Sequence, residues 1–419
     1  MGAHADYRKT RIVIGDPRVR VPSEITVFVG LYNSLPYFDD LVAQITAQTI
    51  QNARWLFVDN ASSDQTWERL TAWAASSGLD ATLVRNPINF GATGSIFVNL
   101  DLVTTEWVTF LHQDDIYLPR HIATLEEAAV SSSPETIAVF SDMGRADQHG
   151  KPIGSYPPPI WLVPDLEPPT LFLALLRNHC VPWAALAVRT TVFRETEAPW
   201  HSTAFPDTEI TMRLSARGRF VHVPKETMRY RDNLASESRS IDDRERKFGA
   251  TVSLFRVFNS VEFASLAEQL PRTERGAFAE GLRNAIRVRL GDTDRAHLVT
   301  AGALERLDQL WDNTDPTVLS LLAEIYGALG AAATTGLLDR MSGAAGGSGA
   351  ATIVAPAEFA DPSSRTADPT ALRIPPRAFR VYEIVGPLTP YWLRRFLARS
   401  AIRTITRGNA LSAWRFVWR

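Results

Sequence analysis

The chain has 419 residues, a formal net charge of −2 and 45% hydrophobic residues. That length exceeds the needs of one ordinary domain, and the composition is typical of a protein with a full apolar core. The near-neutral charge disfavours a dedicated nucleic-acid binder, so we expect no nucleic-acid partner. Cys180 is the single cysteine, which excludes an intrachain disulfide and a cysteine-based zinc site and fits a reducing cytoplasm.

Residues 25–143 alternate between short apolar segments, typical of strands, and amphipathic segments, typical of helices. The predicted strands are 25–31, 54–59, 81–85, 107–111 and 136–142, and the predicted helices are 37–50, 64–75, 92–102 and 119–131. This alternation predicts an α/β fold with a mainly parallel, Rossmann-like sheet flanked by helices.

The sequence LHQDDIYLP places polar residues directly after the fourth predicted strand. Asp114 and Asp115 lie there, at the edge where open α/β sheets bind ligands. Paired carboxylates suit a divalent cation such as Mg²⁺ or Mn²⁺, which would in turn hold phosphate oxygens. The alternative is a solvated turn between a strand and a helix beginning at Pro119, because aspartate favours caps and turns.

Other predicted strands also end in polar residues. Asn33 follows the first, and Asp59 ends the second, where a carboxylate can accept hydrogen bonds from a ribose hydroxyl or a base N–H. Asn89 and Gly91 precede a predicted helix, whose free N–H groups would face a bound ligand. Packing of that helix on the sheet is an equally adequate reason for the glycine.

A second group of candidate residues lies at 200–231, after a proline-rich segment at 144–169 that we predict to be a long irregular binding loop or lid. Asp207 and Glu209 stand at the start of a helix that Gly218 ends. Stabilisation by the helix dipole is a complete structural explanation for both acids. RFVHV and MRYR, which follow, are each predicted to form a strand.

Read in order, these motifs resemble those of the family-2 inverting glycosyltransferases with the GT-A fold. The resemblance covers about 25–231 and rests on FVDNASSDQT, LHQDDIYLP, FSDMGRADQHGKPIG, and FPDTEITMRLSARG with VPKETMRYR. It implies that Asp59 contacts the base or ribose and that Asp207 is the catalytic base.

The resemblance assigns further roles. Asp114 and Asp115 would bind the metal and the sugar-nucleotide diphosphate, Arg231 would lie near that diphosphate, and Glu209 would be an acceptor-side or supporting acid. His112 replaces the first acid of the motif, so the choice of the carboxylate that ligates the metal stays open. Asn33, Asn89 and Gly91 are further donor-binding candidates, and His112 and Trp183 are acceptor-side or supporting candidates. Loop residues around Trp161, His179, Trp183 and Trp200 would contribute to sugar specificity.

The expected function is metal-dependent, inverting transfer of a hexosyl or deoxyhexosyl group. The donor would be a nucleoside diphosphate-sugar, and the acceptor a hydroxyl of a glycan or lipid-linked molecule in cell-envelope polysaccharide biosynthesis. A sugar-nucleotide nucleotidyltransferase is an alternative, although LYNSLPYF lacks that class's glycine-rich basic loop. A non-catalytic glycan-binding protein on the same fold is another.

The domain organisation is predicted from changes in composition along the chain. We expect an N-terminal extension (1–24), a catalytic domain (25–239), a helical appendage (240–340), a linker (341–375) and a basic amphipathic tail (376–419). In the tail, Arg395, Arg399, Arg403 and Arg407 are four residues apart, which predicts a peripheral contact with the inner face of the cell membrane. A helix docked on protein is the alternative, and homo-oligomer formation stays open.

Overall fold

The structure is a computed structural model that describes residues 10–15, 23–50, 52–155, 166–177, 181–196, 206–232, 243–291, 293–311 and 315–329. The chain divides into two compact units, Met1–Gly249 and Ala250–Arg419.

The strands of the first unit form one sheet. They are β1 (Thr10–Ile14), β2 (Ile25–Leu31), β3 (Arg54–Asp59), β4 (Asp80–Arg85), β5 (Trp107–His112), β6 (Ile116–Tyr117), β7 (Thr136–Ala146), β8 (Pro152–Ser155), β9 (Leu186–Arg189) and β10 (Arg219–Arg231). In the described part of the chain the sheet has ten strands, in the order β1-β4-β3-β2-β5-β9-β7-β10-β6, with β8 beside β7. Neighbouring strands from β4 to β5 are parallel, as are β7 and β10, which confirms the predicted fold class.

Helices cover both faces of this sheet, so its central strands are buried on both sides and carry near-continuous apolar runs. The helices are α1 (Leu35–Thr46), α2 (Thr66–Ser77), α3 (Gly91–Asn99), α4 (His121–Ser131), α5 (Thr170–Leu176), α6 (Thr190–Glu195) and α7 (Pro206–Ser215). In β2, for example, Val27, Phe28 and Val29 have at most 1% of their surface exposed.

Five expectations from the sequence are corrected in this unit. Residues 219–231 form one strand, because irregularities in the register between Val223 and Met228 absorb Pro224, which cannot donate to the ladder. The segment predicted to be irregular from 144 instead begins as an antiparallel pair, β7 with β8. Asp147 closes that turn by accepting hydrogen bonds from the backbone N–H groups of His149 and Lys151.

The other corrections concern the ends of elements. Part of the predicted N-terminal extension is strand β1, which pairs with β4. Helix α4 begins at His121 and not at Pro119, since β6 first pairs with β10. The apolar sequence WAALAV at 183–188 predicts a strand, but it begins as a 3-10 helix, Trp183–Ala185, and continues as β9.

The second unit is helical in the residues that the structure describes. Its chain enters through α8 (Asp243–Phe258) and continues as α9 (Val261–Gln269), α10 (Arg272–Leu290), α11 (Asp294–Leu310) and α12 (Pro316–Leu329). Phe263, Leu282 and Trp311 lie in its core, where the Trp311 indole donates a 2.9 Å hydrogen bond to the Ala267 carbonyl. Among the described helices none is long and apolar enough to cross a membrane. The predicted linker and tail, 341–419, lie outside the described residues.

Candidate active site

Four strands end at one level on the same edge of the sheet. Leu31 pairs with Asp59, Asp59 with Arg85, and Gly30 with His112, so β2, β3, β4 and β5 present their carboxyl ends together. The loops that follow these ends therefore meet, as expected at the ligand edge of a parallel sheet.

Asp114 and Asp115 follow β5 but have different environments. Asp115 is 3% exposed, and its Oδ1 accepts a 3.1 Å hydrogen bond from the Arg231 backbone N–H. Burial raises the pKa of Asp115 well above 3.8, and the charge of Asp114 raises it further. Asp114 is only partly buried. The accessible carboxylate of the pair is thus Asp114, whereas Asp115 joins the motif to β10.

His112, the last residue of β5, is close to Asp115 and is affected by the charges of Asp114 and Asp207. Its Nδ1 is 3.6 Å from the Asp115 Oδ2, and 44% of its side-chain surface is exposed. Desolvation by the surrounding protein lowers the pKa of His112 below 6.5, and the negative charges of Asp114 and Asp207 offset part of that lowering. Because Asp207 acts on His112, the fold brings the first turn of α7 into the electrostatic neighbourhood of the motif after β5.

Helix α7 carries both predicted acids of the second group. Asp207 is partly buried in its first turn, and its carbonyl accepts a 2.7 Å hydrogen bond from the Thr211 hydroxyl. Glu209 is fully buried and lies 3.1 Å from the Arg213 guanidinium, which is itself 2% exposed. This burial favours the supporting role of Glu209 over direct contact with an acceptor. The supporting role stays a prediction.

Asp59 ends β3 with no exposed surface. The Arg85 Nε lies 3.2 Å from its Oδ2, and the Ser62 N–H donates to its Oδ1 at 3.3 Å. Burial raises the pKa of Asp59, while Ser62 and Arg85 lower it. Because this carboxylate has no exposed surface, its contact with a base or ribose stays a prediction.

Asparagine side chains connect the loops around Asp59. The Asn33 Oδ1 accepts from the Ser63 N–H at 2.8 Å, and Asn33 itself adopts a left-handed φ of 50°. The Asn89 Oδ1 accepts from the Gly91 N–H and from the Asn60 amide, both at 2.7 Å. Asn60 was not predicted from the sequence; its position directly after Asp59 was the available signal. Asn33, Asn89 and Gly91 shape the loops here, and their contact with a donor stays a prediction.

Trp183 packs in the core beneath the site. Its ring stacks on Phe110 at 4.7 Å between centroids, with 11° between the planes, and the residue is 8% exposed. Since one face of the indole is covered by Phe110, little of Trp183 is left for an acceptor or sugar. Trp161, His179 and Trp200 lie outside the described residues.

The acidic residues present fit a divalent cation that is shared with a substrate. Within the described ranges there is no group of three or more histidine, cysteine, aspartate or glutamate side chains arranged to hold a metal. Mg²⁺ and similar hard cations need only one or two protein carboxylates when substrate phosphates and water complete the coordination. Asp114 can supply such a carboxylate, and the buried Asp115 lies next to it in the chain.

The predicted resemblance to family 2 glycosyltransferases is confirmed over part of the chain. Residues 26–157, less than half of the 419, match the model described as glycosyl transferase family 2. The matched segment contains Asp59, Asp114 and Asp115 but not Asp207. A comparison with curated proteins gave no match.

The chain is similar to several solved structures at low sequence identity. Staphylococcus aureus TarS is 16% identical, with a TM-score of 0.49, over 75% of this chain and 53% of that chain, so the present chain spans about half of its length. The Pyrobaculum calidifontis mannosyltransferase PcManGT, solved with GDP-Man and Mn²⁺, is 18% identical with a TM-score of 0.44, over 80% and 89% of the two chains. Glucosyl-3-phosphoglycerate synthase from Mycobacterium tuberculosis is 16% identical with a TM-score of 0.37, over 56% and 79%.

Proposed function

We infer that this chain transfers a hexosyl or deoxyhexosyl group from a nucleoside diphosphate-sugar to a hydroxyl of a glycan or lipid-linked acceptor, with inversion at the anomeric carbon. The observation that carries this proposal is the accessible Asp114 carboxylate at the edge where β2, β3, β4 and β5 end together. Asp114 lies within the family 2 segment, and its charge and that of Asp207 both act on His112, which supports a site shared by the two acids.

In the proposed reaction Asp207 is the general base. Its carboxylate takes the proton of the acceptor hydroxyl while that oxygen bonds to the anomeric carbon. The bond from the anomeric carbon to the phosphate oxygen breaks, and the nucleoside diphosphate leaves. A positioned base typically contributes a factor of about 10²–10⁴ to the rate. A single in-line attack inverts the anomeric carbon and needs no nucleophile from the enzyme.

The leaving group also needs stabilisation, because negative charge develops on the diphosphate as its bond to the anomeric carbon breaks. A bound Mg²⁺ or Mn²⁺ would act there as a Lewis acid that neutralises this charge. Asp114 would hold the ion directly, because its carboxylate is the accessible one. Asp115 would support the motif from behind through its hydrogen bond to the Arg231 backbone.

The proposed place of action is the cytoplasmic face of the cell membrane, on an acceptor for cell-envelope polysaccharide. The arginine spacing at 395–407 supports a contact with anionic lipid, and the single cysteine is compatible with the cytoplasm.

Thermal shift with a panel of nucleotide sugars and Mn²⁺ tests the proposal. A ligand at about 100 times its Kd stabilises the folded protein by about 2.7 kcal/mol, so we expect at least one nucleoside diphosphate-sugar to raise the Tm. The Asp114→Asn variant should lose this response, whereas the control Asp101→Asn, in the short 3-10 helix Leu100–Leu102, should keep it.

Each alternative function has its own result in the same assay. Stabilisation by a nucleoside triphosphate with a sugar 1-phosphate, and by no nucleoside diphosphate-sugar, would favour the nucleotidyltransferase. Donor binding without transfer or donor hydrolysis would favour a glycan-binding protein. A panel in which no nucleoside diphosphate-sugar raises the Tm would contradict the proposal.

A further inference from the structure

The Arg231 side chain, at the end of β10, connects three other segments of the first unit. Its Nε donates to the Asp114 carbonyl at 2.8 Å, its Nη1 to the Gln148 carbonyl at 3.3 Å, and its Nη2 to the Asp40 carboxylate at 3.1 Å. The side chain is 8% exposed. The guanidinium is thus held by protein groups on all three of its nitrogens.

These contacts engage the nitrogens with which Arg231 would bind a diphosphate. A phosphate-binding arginine frequently presents two parallel N–H groups to its ligand. Here Nε is directed at the main chain of Asp114, and Nη2 is directed at helix α1. The hydrogen bond to the Asp114 carbonyl fixes the backbone from which the accessible carboxylate projects.

We propose that Arg231 is a positioning residue that sets the affinity of the site for a divalent cation and diphosphate, and that Asp40 anchors it. The inference rests on the proposed function and deepens it by naming the residues that orient Asp114. Residues that hydrogen-bond to a metal ligand and fix its orientation commonly lower the metal affinity by about 10–100-fold when they are substituted.

Asp40 would affect cation binding by fixing the position of the Arg231 guanidinium, and not by changing the free energy of unfolding. It is 61% exposed, and exposed ion pairs contribute little to the free energy of unfolding. Its carboxylate nevertheless determines where the Arg231 Nη2 lies, and therefore how the Nε meets the Asp114 carbonyl. Loss of this anchor should weaken cation binding while the Tm stays nearly constant.

Helix α1 provides a matched control at the preceding residue. Asp39 lies next to Asp40, is 80% exposed and pairs with Arg69. Asp39→Ala and Asp40→Ala therefore each remove one exposed acid and one ion pair from the same helix. Of these two ion pairs, only that of Asp40 with Arg231 is linked to the motif after β5.

The test measures Mn²⁺ binding by electron paramagnetic resonance, with saturating UDP and separately with saturating GDP, on the full chain. We expect Arg231→Lys to weaken Mn²⁺ binding about tenfold. Asp40→Ala should weaken it about threefold or more, and Asp39→Ala should leave it at the wild-type value. The Tm values of the two alanine variants should agree. If Arg231→Lys does not fold, the Asp40 and Asp39 pair still decides the question.

Three outcomes would overturn the inference. Equal Mn²⁺ affinity for Asp40→Ala and Asp39→Ala would show that the anchor has no role. An Arg231→Lys variant that weakens nucleotide binding equally with and without Mn²⁺ would show direct contact with the diphosphate. If the wild-type protein fails to bind Mn²⁺ both with UDP and with GDP, the proposed function itself is contradicted. That result is distinguishable from the other two.

Discussion

His121, the first residue of helix α4, should make the first unit less stable in mild acid. The residue is fully buried, its Nδ1 lies 2.8 Å from the Thr227 hydroxyl, and burial lowers the pKa of its imidazole to about 3. In the unfolded chain a histidine has a pKa of about 6.5. As the pH falls below that value, the unfolded state takes up a proton that the folded state refuses until about pH 3. Stability is therefore lost progressively across this window.

The expected size follows from the linkage between pKa and folding. At pH 5 the pH is about 1.5 units below the unfolded-state pKa, which costs about 2 kcal/mol relative to pH 8. Asp115 acts in the opposite direction, because its raised pKa favours the folded state as the pH falls. Comparison with His121→Gln, which keeps a polar group beside Thr227 but cannot take up a proton, isolates the histidine contribution.

Hydrogen-exchange mass spectrometry on peptides from β5 and β10 measures the opening free energy of the first unit alone. After correction for intrinsic exchange at each pH, the wild type should lose about 2 kcal/mol more than His121→Gln between pH 8 and pH 5. Equal losses for the two proteins would refute the reasoning, since they would show that the buried imidazole does not determine this pH dependence.

Further predictions concern packing and the tail. Arg213→Met removes the guanidinium beside the buried Glu209 carboxylate and should lower the opening free energy of the first unit by about 3–5 kcal/mol. The double variant Arg213→Met with Glu209→Met should recover much of that loss. Gly218→Ala should cost about 1–3 kcal/mol in the same exchange measurement, because the new Cβ would lie 2.8 Å from the Ile137 Cγ2. In vesicle flotation, phosphatidylglycerol vesicles should carry the full chain but not a chain that lacks 385–419; equal recovery would contradict the membrane role.

Local patterns were enough to predict the framework of the first unit. Each central strand is a short apolar run, and its last residue, such as Asp59, is marked by an abrupt change to polar side chains. The position of Asp114 at the ligand edge follows from the same pattern, since a parallel sheet brings the strand ends together.

Contacts between distant segments could not be read from the sequence. Asp114 and Asp115 are indistinguishable as neighbours in the chain, but in the fold Asp115 is buried and accepts a hydrogen bond from β10. Asp40 looks like any exposed acid on an amphipathic helix until Arg231 is placed against it. The burial of Glu209 likewise depends on what packs on α7, because the helix dipole explains an acid at that position equally well.

The most direct test of the shared site measures donor binding and sugar transfer on the same Asp207→Asn protein. The donor that stabilises the wild type should raise the Tm of the variant by the same amount, because Asp114 and the loops after β2 and β3 are intact. Transfer should fall by about 10²-fold or more, because the acceptor hydroxyl has lost its base. Transfer within a few-fold of the wild-type rate would contradict the proposed mechanism.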